Sequence, residues 1–364
     1  MSDDTRDMLH EAALRIFSDK PQNLWAVLQE SGFDKALLAE SKGGAGVSWA
    51  DACGLLSLAG EHAAAVPLAE AMVGHWLLDH AGVEGAGTPT IASSVRPDEI
   101  RVGMGYDGKR VSGKLCRVPW GEFCTHVAFI VGAGTAAQLI VVARETAGVS
   151  ITPGRNLAGE PRDTLVLDGV VPQAVVNAPF DARELLSLAA ILRSALMAGA
   201  IGRALALSVE YANLRVQFGR PIGKFQAVQQ NIALLATQAA AARAAAEAGS
   251  DAIDEWLGGA GVPLTQSIAA PSAKIRTGEA ASQACAIAHQ VFGAIGFTEE
   301  HELHQFTKRL WSWRDECGNE AFWSRELGER ILVGDAGQSL WRAMVPMAAP
   351  TTAAAVEEKA GAAR

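Results

Sequence analysis

Two long alanine-rich stretches joined by a polar turn constrain the fold more than any other feature of the sequence. The first spans residues 185–214, and the second begins near Phe225. Leucines recur on one face of the first stretch, at Leu185, Leu188, Leu192 and Leu196. This spacing is typical of amphipathic helices, and small alanine and glycine side chains allow close helix packing. The pair predicts long antiparallel helices packed in a bundle.

Two further helices complete the predicted bundle. Apolar residues at helical spacing indicate one helix over roughly residues 263–292 and another that begins near Glu299. We therefore expect a C-terminal four-helix bundle over residues 179–350. The tail, residues 351–364, is rich in alanine and glutamate, and we expect it to fray.

The residues before the bundle fall into two regions. Residues 1–87 predict short helices, one of them capped by Ser48 with Asp51 in its first turn. Residues 88–178 contain short β-branched runs such as HVAFIV and QLIVVAR, and DGK at 107–109 suits a hairpin turn. The predicted class is α+β: an N-terminal helical domain, a small middle β domain of six or seven strands, and the bundle.

Composition and charge exclude several classes of protein. A net charge of −9 argues against general affinity for nucleic acid, which needs a basic surface. The acidic start, MSDDTRD, lacks an apolar signal core, so we expect a cytoplasmic protein. No membrane span is expected either, because Arg193 and Arg203 interrupt the most apolar stretch. The five cysteines form no CxxC pair, which favours free thiols.

Common catalytic and binding motifs are missing from the sequence. No GxGxxG follows a predicted strand, and no Walker loop, HExxH or GxSxG occurs. His301 and His304 are three residues apart, but no further ligands accompany them, so we expect no metal site.

Three segments, in the same order along the chain, resemble motifs of the acyl-CoA dehydrogenase family. The polar turn RVQFGRPIGKFQ (215–226) resembles R-x-x-F-G-x-x-I-x-x-x-Q. QVFGAIGF (290–297) resembles Q-x-x-G-G-x-G-F, with alanine at the second glycine of the pair. ESKGGAGVSWADA (40–52) resembles E-x-x-G-G-x-G-x-x-x-x-D. The order helical, β, helical also matches that family, so the resemblance covers nearly the whole chain and implies its fold.

The resemblance implies a site for flavin adenine dinucleotide (FAD). An arginine can bind the pyrophosphate with several donors, glutamines offer both donors and acceptors, and glycines let the backbone approach. The implied cofactor-binding residues are Arg215, Gln217, Phe218, Ile222, Phe225, Gln226, Gln290, Gly293 and Ala294. Taken alone, the turn could instead join two helices, with Phe218, Ile222 and Phe225 in the core. In the family this cofactor lies at a subunit interface, which implies at least a dimer.

The activity that the resemblance implies is α,β-desaturation of an acyl-CoA thioester, in which a carboxylate removes the α-proton and a hydride passes to flavin N5. The family's glutamate in an E-G-T segment falls, without gaps, on Cys317, so its neighbour Glu316 is the predicted base. Asp315, Glu320 and Cys317 itself are alternatives. A second branch of the family carries its base at a position that falls near Ala189 here. Alanine cannot act as a base, so we do not expect one at this position.

The β region departs from the family pattern. The T-E-P-x-x-G-S-D loop is missing, and the position of a flavin-stacking tryptophan holds Arg117, with Trp120 nearby. Shortened members of this kind resemble bacterial acyl-CoA dehydrogenases that act as mixed tetramers, in which only one kind of subunit carries the base. The sequence therefore leaves two functions open: a dehydrogenase in its own right, as a homodimer or homotetramer, or a subunit that lacks the base and needs a partner. Electron-transfer flavoprotein is the acceptor that the family implies.

Overall fold

The computed structural model describes residues 3–84, 87–93, 100–105 and 108–333. It contains a helical unit, a unit of two sheets and a second helical unit, in that order along the chain. The last part of the predicted bundle domain, 334–350, and the tail, 351–364, lie outside the described residues.

The N-terminal unit is built from four helices and two short 3₁₀ turns. The helices are α1 (Asp3–Asp19), α2 (Leu24–Glu30), α3 (Trp49–Glu61) and α4 (Leu68–His80). Ser48 caps α3 as predicted, because its Oγ accepts a hydrogen bond from the Asp51 N–H at 3.1 Å. The carboxylate of Asp254 accepts hydrogen bonds from the first two backbone N–H groups of α3, those of Trp49 at 2.8 Å and Ala50 at 2.9 Å. One helix start is therefore fixed by the distant bundle as well as by its own cap.

Within the described residues, the middle unit contains eight strands rather than the predicted six or seven. They are β1 (Pro89–Ala92), β2 (Ile100–Gly105), β3 (Gly108–Pro119), β4 (His126–Val131), β5 (Gln138–Ala143), β6 (Val149–Thr152), β7 (Arg162–Val170) and β8 (Ala174–Asn177). They form two four-stranded sheets of order β1-β4-β5-β8 and β2-β3-β7-β6. The shortest strands, such as β8, are too brief to show periodicity. Strands β2 and β3 pair antiparallel with Gly105 opposite Gly108, as a hairpin requires, while Asp107 of the predicted turn lies outside the described residues.

The C-terminal unit is the predicted helical bundle with a fifth helix added. Its helices are α5 (Ala182–Leu214), α6 (Gln226–Leu257), α7 (Ala269–Phe292), α8 (Leu303–Asp315) and α9 (Glu320–Val333). By length and composition α5 could cross a membrane, but 89% of its most apolar stretch is buried inside the protein. The helix is therefore the centre of the core, which continues into the N-terminal unit.

Two glycines bring α3 and α5 into close contact. A Cβ at Gly60 would lie 2.0 Å from the carbonyl oxygen of Leu196, and one at Gly199 would lie 1.8 Å from that of Ser57. Both positions therefore require glycine, and the crossing holds α5 in place beside the N-terminal unit.

Candidate active site and dinucleotide-binding turn

A cavity of about 920 Å³ opens between the sheets and the helical bundle. Its wall is formed by β3, the loop before β7, the middle of α5, and the end of α8 with the turn that follows. The lining residues that carry charge are Arg117, Arg155, Arg162, Arg193, Asp315 and Glu316. The excess of arginines is unexpected in a chain of net charge −9, and it makes the cavity wall locally basic.

Glu316, the predicted base, lies on this wall, but four donor groups already bind its carboxylate. Arg162 donates from Nε at 2.8 Å and from Nη2 at 2.9 Å. The Nδ2 of Asn156 donates at 3.0 Å, and the Nη2 of Arg193 lies 3.2 Å from Oε2. Charge-assisted contacts of this kind stabilise the ionised carboxylate.

These contacts belong to a larger buried ionic cluster that joins all three units. Glu70 on α4 accepts from Arg193 at 2.6 Å. Glu160, in the loop before β7, accepts from Arg309 at 3.0 Å and from Arg162 at 3.2 Å. The cluster is balanced, with three carboxylates, Glu70, Glu160 and Glu316, and three guanidinium groups, Arg162, Arg193 and Arg309.

The environment of Glu316 decides its acidity. Burial alone would raise the pKa of its carboxyl group, but the charges of Arg193 and Arg162 and the hydrogen bonds from Arg162 and Asn156 outweigh burial and hold the pKa below its usual value. A general base works best when its pKa is near the operating pH. A carboxyl group with a lowered pKa and occupied oxygens is therefore poorly placed to take a proton. The assignment of Glu316 as base stays a prediction, and its surroundings do not favour it.

The alternative bases are arranged differently. Cys317 lines the cavity in a left-handed conformation (φ 55°), and burial raises the pKa of its thiol. Asp315 is exposed at the cavity wall. Glu320 lies at the start of α9 and pairs with Arg314 at 2.5 Å. Ala189 lies in α5, beside the narrow space next to Glu70 and Arg193.

A bulge in β3 shapes the opposite wall. The register of β3 against β7 shifts between Leu115 and Val118, and Arg117 within this bulge has φ 56°. Trp120, just after the strand, also has a positive φ of 55°. Bulges and left-handed residues without glycine are costly and cluster near functional sites, where they redirect side chains.

The turn between α5 and α6 is exposed, as a ligand-binding or subunit surface would be. Phe218 is 92% exposed, so it is not a core residue, while Ile222 and Phe225 are half-buried. Val216–Gln217 and Arg220–Pro221 form a two-residue hairpin around Phe218 (φ 52°) and Gly219 (φ 79°). Arg215 and Gln226 are exposed on the two helix ends that flank it.

The second motif lies at the same end of the bundle. Phe292, the last residue of α7, stacks on Tyr211 in the last turn of α5, with ring centroids 4.3 Å apart. Gln290, Gly293 and Ala294 are exposed beside this contact, and Gly293 has φ 64°. The structure therefore brings both predicted motif segments to one surface of one chain.

This surface fits the phosphates and hydroxyl groups of FAD in its chemistry. It offers an exposed guanidinium, exposed amides, an aromatic face and backbone that no Cβ obstructs at Gly219 and Gly293. The cavity is remote from it, because Arg193 and Arg215 are 22 residues apart on one continuous helix, a rise of about 33 Å. The turn at Arg215 and the cavity wall at Arg193 therefore lie far apart along α5.

The sequence does not predict a place in the site for four of these residues: Arg162, Arg193, Asn156 and Glu70. A signal existed for Arg193, since a cation inside an otherwise apolar helix is buried only when a carboxylate accompanies it. Arg162 and Asn156 carry no such local signal.

Comparison with known proteins agrees with the motifs. A family model for the C-terminal domain of acyl-CoA dehydrogenases matches residues 181–321. Acyl-CoA dehydrogenase IpdE2 of Mycobacterium tuberculosis is 32% identical over 294 residues, which cover 79% of this chain and 80% of the relative. Acyl-CoA dehydrogenase FadE27 of the same organism is 28% identical over 319 residues, covering 78% of this chain and 81% of its own.

Solved structures share the fold. A chain of the ChsE4-ChsE5 complex from Mycobacterium tuberculosis superposes with a TM-score of 0.80 at 22% identity, covering 92% of this chain and 99% of the other. The glutaryl-coenzyme A dehydrogenase complex with glutaryl-CoA gives a TM-score of 0.79 at 21% identity, covering 92% and 97%.

Proposed function

Because this chain belongs to the acyl-CoA dehydrogenase family, we propose that it acts in the α,β-desaturation of an acyl-CoA thioester as a subunit that needs a related, base-bearing partner chain. FAD is the cofactor of the family, and when bound it accepts the hydride that leaves the β-carbon. The single observation that carries the proposal is the state of Glu316, whose carboxylate is held by Arg162, Arg193 and Asn156.

The residues of this chain have two tasks in the proposed assembly. Arg215, Gln217 and Gln226 bind the phosphates and hydroxyl groups of the dinucleotide at the exposed surface. The cavity wall near Glu316 contributes to the space for the thioester. The separation of about 33 Å along α5 supports a cofactor shared between chains, since each chain would contribute its turn to one FAD and its cavity to another.

A mixed assembly agrees with one of the similar structures, whose chain comes from a complex of two different subunits, ChsE4 and ChsE5. Electron-transfer flavoprotein is the acceptor that we propose for the reduced flavin. A homodimer or homotetramer is the alternative assembly, and it goes with the second candidate function.

That second candidate is a dehydrogenase complete in itself, with Glu316 as base. The observation in its favour is position, since Glu316 lies on the cavity wall in the turn after α8, next to the residue where the family's motif places a glutamate. It requires the carboxylate to leave its arginines before it takes a proton.

Flavin reduction separates the two functions. The full chain loaded with FAD is mixed without oxygen with a panel of acyl-CoA thioesters, and the flavin absorbance is followed. We expect no bleaching until a related partner chain is added, and a Glu316→Gln variant with that partner should then lose far less than the roughly 10²-fold that removal of a general base costs. Glu329→Gln, at an exposed position on α9, is the matched control.

A complete dehydrogenase with Glu316 as base would behave differently in this assay. If the chain alone reduces its flavin and Glu316→Gln slows that reduction by roughly 10²–10⁴-fold, as the loss of a general base would, then Glu316 is the base and the chain is a complete dehydrogenase.

A further inference from the structure

The arginine pair that binds Glu316 has the features of a carboxylate-binding site. Arg162 presents two parallel N–H groups to the two oxygens, at 2.8 and 2.9 Å, and the Nη2 of Arg193 adds a third contact. This fork geometry is specific for planar carboxylates. Both arginines are more than nine-tenths buried, so water competes little for them.

Arg193 has unused capacity. Its Nε is buried and has no hydrogen-bond partner among the described residues, although its Nη2 contacts both Glu70 and Glu316. An unsatisfied buried donor on a cavity wall costs free energy that a ligand oxygen can recover. Arg193 also lines the narrow space that reaches from the cavity towards Glu70 and Ala189.

The charge balance of the cluster depends on Glu316. Without this carboxylate, the three guanidinium groups would pair, among the described residues, with Glu70 and Glu160 alone, which leaves one uncompensated positive charge in a buried position. A second anion is then needed at the place where the carboxylate of Glu316 now lies.

Glu316 is also attached where the backbone can change course. It follows the last residue of α8, and the next two residues, Cys317 and Gly318, both have positive φ, 55° and 87°. Its carboxylate thus reaches the arginines from a turn and not from the body of a helix. The cavity beside it, about 920 Å³, is in the range that holds a whole small-molecule ligand.

We propose that Arg162 and Arg193 form a subsite for a carboxylate carried by the acyl group of the thioester, and that Glu316 occupies this subsite as an internal ligand until the acyl carboxylate displaces it. The inference rests on the proposed function, since it takes the ligand to be an acyl-CoA, and it adds the class: an acyl group with its own carboxylate rather than a plain alkyl chain.

The test compares two thioesters of equal carbon number, glutaryl-CoA and pentanoyl-CoA, by calorimetry on the full-length FAD-loaded protein. We expect glutaryl-CoA to bind about tenfold or more tightly than pentanoyl-CoA, as one charge-assisted contact provides. Glu316→Gln removes the internal competitor, so the preference should widen by about tenfold again. Glu329→Gln, at an exposed position on α9, keeps the wild-type preference.

The outcomes separate the inference from the proposed function. Equal affinity of the wild type for the two thioesters overturns the carboxylate subsite but not the proposed function. The same holds if the preference for glutaryl-CoA over pentanoyl-CoA is smaller in Glu316→Gln than in the wild type. If neither thioester binds, the subsite is overturned, and the proposed function is decided separately by flavin reduction in the presence of the partner chain. The wild-type comparison needs no variant, so it holds even if Glu316→Gln folds poorly.

Discussion

At the scale of the residue, the sequence located Glu316 but could not show its state. Counting from the family motif placed a carboxylate in the turn after α8, and the structure has it on the cavity wall. Its partners Arg162 and Arg193 come from β7 and α5, 154 and 123 positions earlier in the chain. Ion pairs between distant segments leave no periodic trace, so the lowered pKa of Glu316 could be derived only from the assembled fold.

A second buried charge beneath the same turn gives a test by pH. Lys274 on α7 is fully buried and donates to the carbonyl of Arg314 at 2.6 Å. Burial lowers the pKa of its ammonium group from 10.5 to about 8, although Cys317 and Glu320 oppose the shift. Between those two pH values, Lys274 keeps its proton in the unfolded chain but has lost it in the folded protein. The free energy of unfolding therefore rises with pH over this range.

We therefore expect a Lys274→Met variant to lack this rise. Between pH 8 and 10.5 the free energy of unfolding of the wild type should increase relative to the variant by about 3 kcal/mol, the equivalent of the shift in pKa. Urea unfolding across that range measures the difference, and Lys308→Met, at an exposed site, controls for the loss of a lysine. Parallel curves for wild type and Lys274→Met would contradict the assignment.

At the scale of the element, the alanine-rich pattern predicted α5 and α6 well but not which small residues are essential. Gly199 and Gly202 are one turn apart on α5 and look equivalent in the sequence. A Cβ at Gly199 would collide with the carbonyl oxygen of Ser57, whereas the nearest atom to one at Gly202 is 3.9 Å away on Arg243. Helical spacing in the sequence identifies the buried face of a helix. It does not show how closely the backbone of the neighbouring helix approaches each position.

Replacement of each glycine by alanine should therefore have opposite effects. Gly199→Ala forces α3 and α5 apart, and we expect it to lower the free energy of unfolding by about 3 kcal/mol. Gly202→Ala is the matched control, and its better helix propensity should leave stability unchanged or raise it by up to about 1 kcal/mol. Denaturant unfolding of both variants measures this, and equal effects would mean that the α3–α5 crossing does not depend on close backbone contact.

At the scale of the whole molecule, three collinear motifs and the order of helical and β regions were enough to predict the family fold, which the comparisons confirm. The two motif segments that include Arg215 and Gln290 lie at the same end of the bundle, where Tyr211 stacks on Phe292. The strand count failed, because strands of four residues carry too little pattern to distinguish them from loops.

The exposed surface around Arg215 is expected to affect both cofactor binding and assembly. Arg215 is exposed at the end of α5, so Arg215→Ala should leave the unfolding free energy of the FAD-free chain within about 0.5 kcal/mol of the wild type. Loss of a charge-assisted contact to the pyrophosphate should weaken FAD binding by about tenfold or more. In the proposed assembly the turn and the cavity of one chain serve different FAD molecules, so FAD should also promote association of chains, and less so in the variant.

Fluorescence titration with FAD and sedimentation with and without the cofactor measure both effects. Arg325→Ala, an exposed arginine on α9, is the control and should bind FAD as the wild type does. If FAD bound tightly to a wild-type chain that stayed monomeric, one chain would hold the whole cofactor. That result would exclude a site shared between chains. It would also mean that Arg215, about 33 Å along α5 from Arg193, and the cavity wall do not contribute to two separate cofactors.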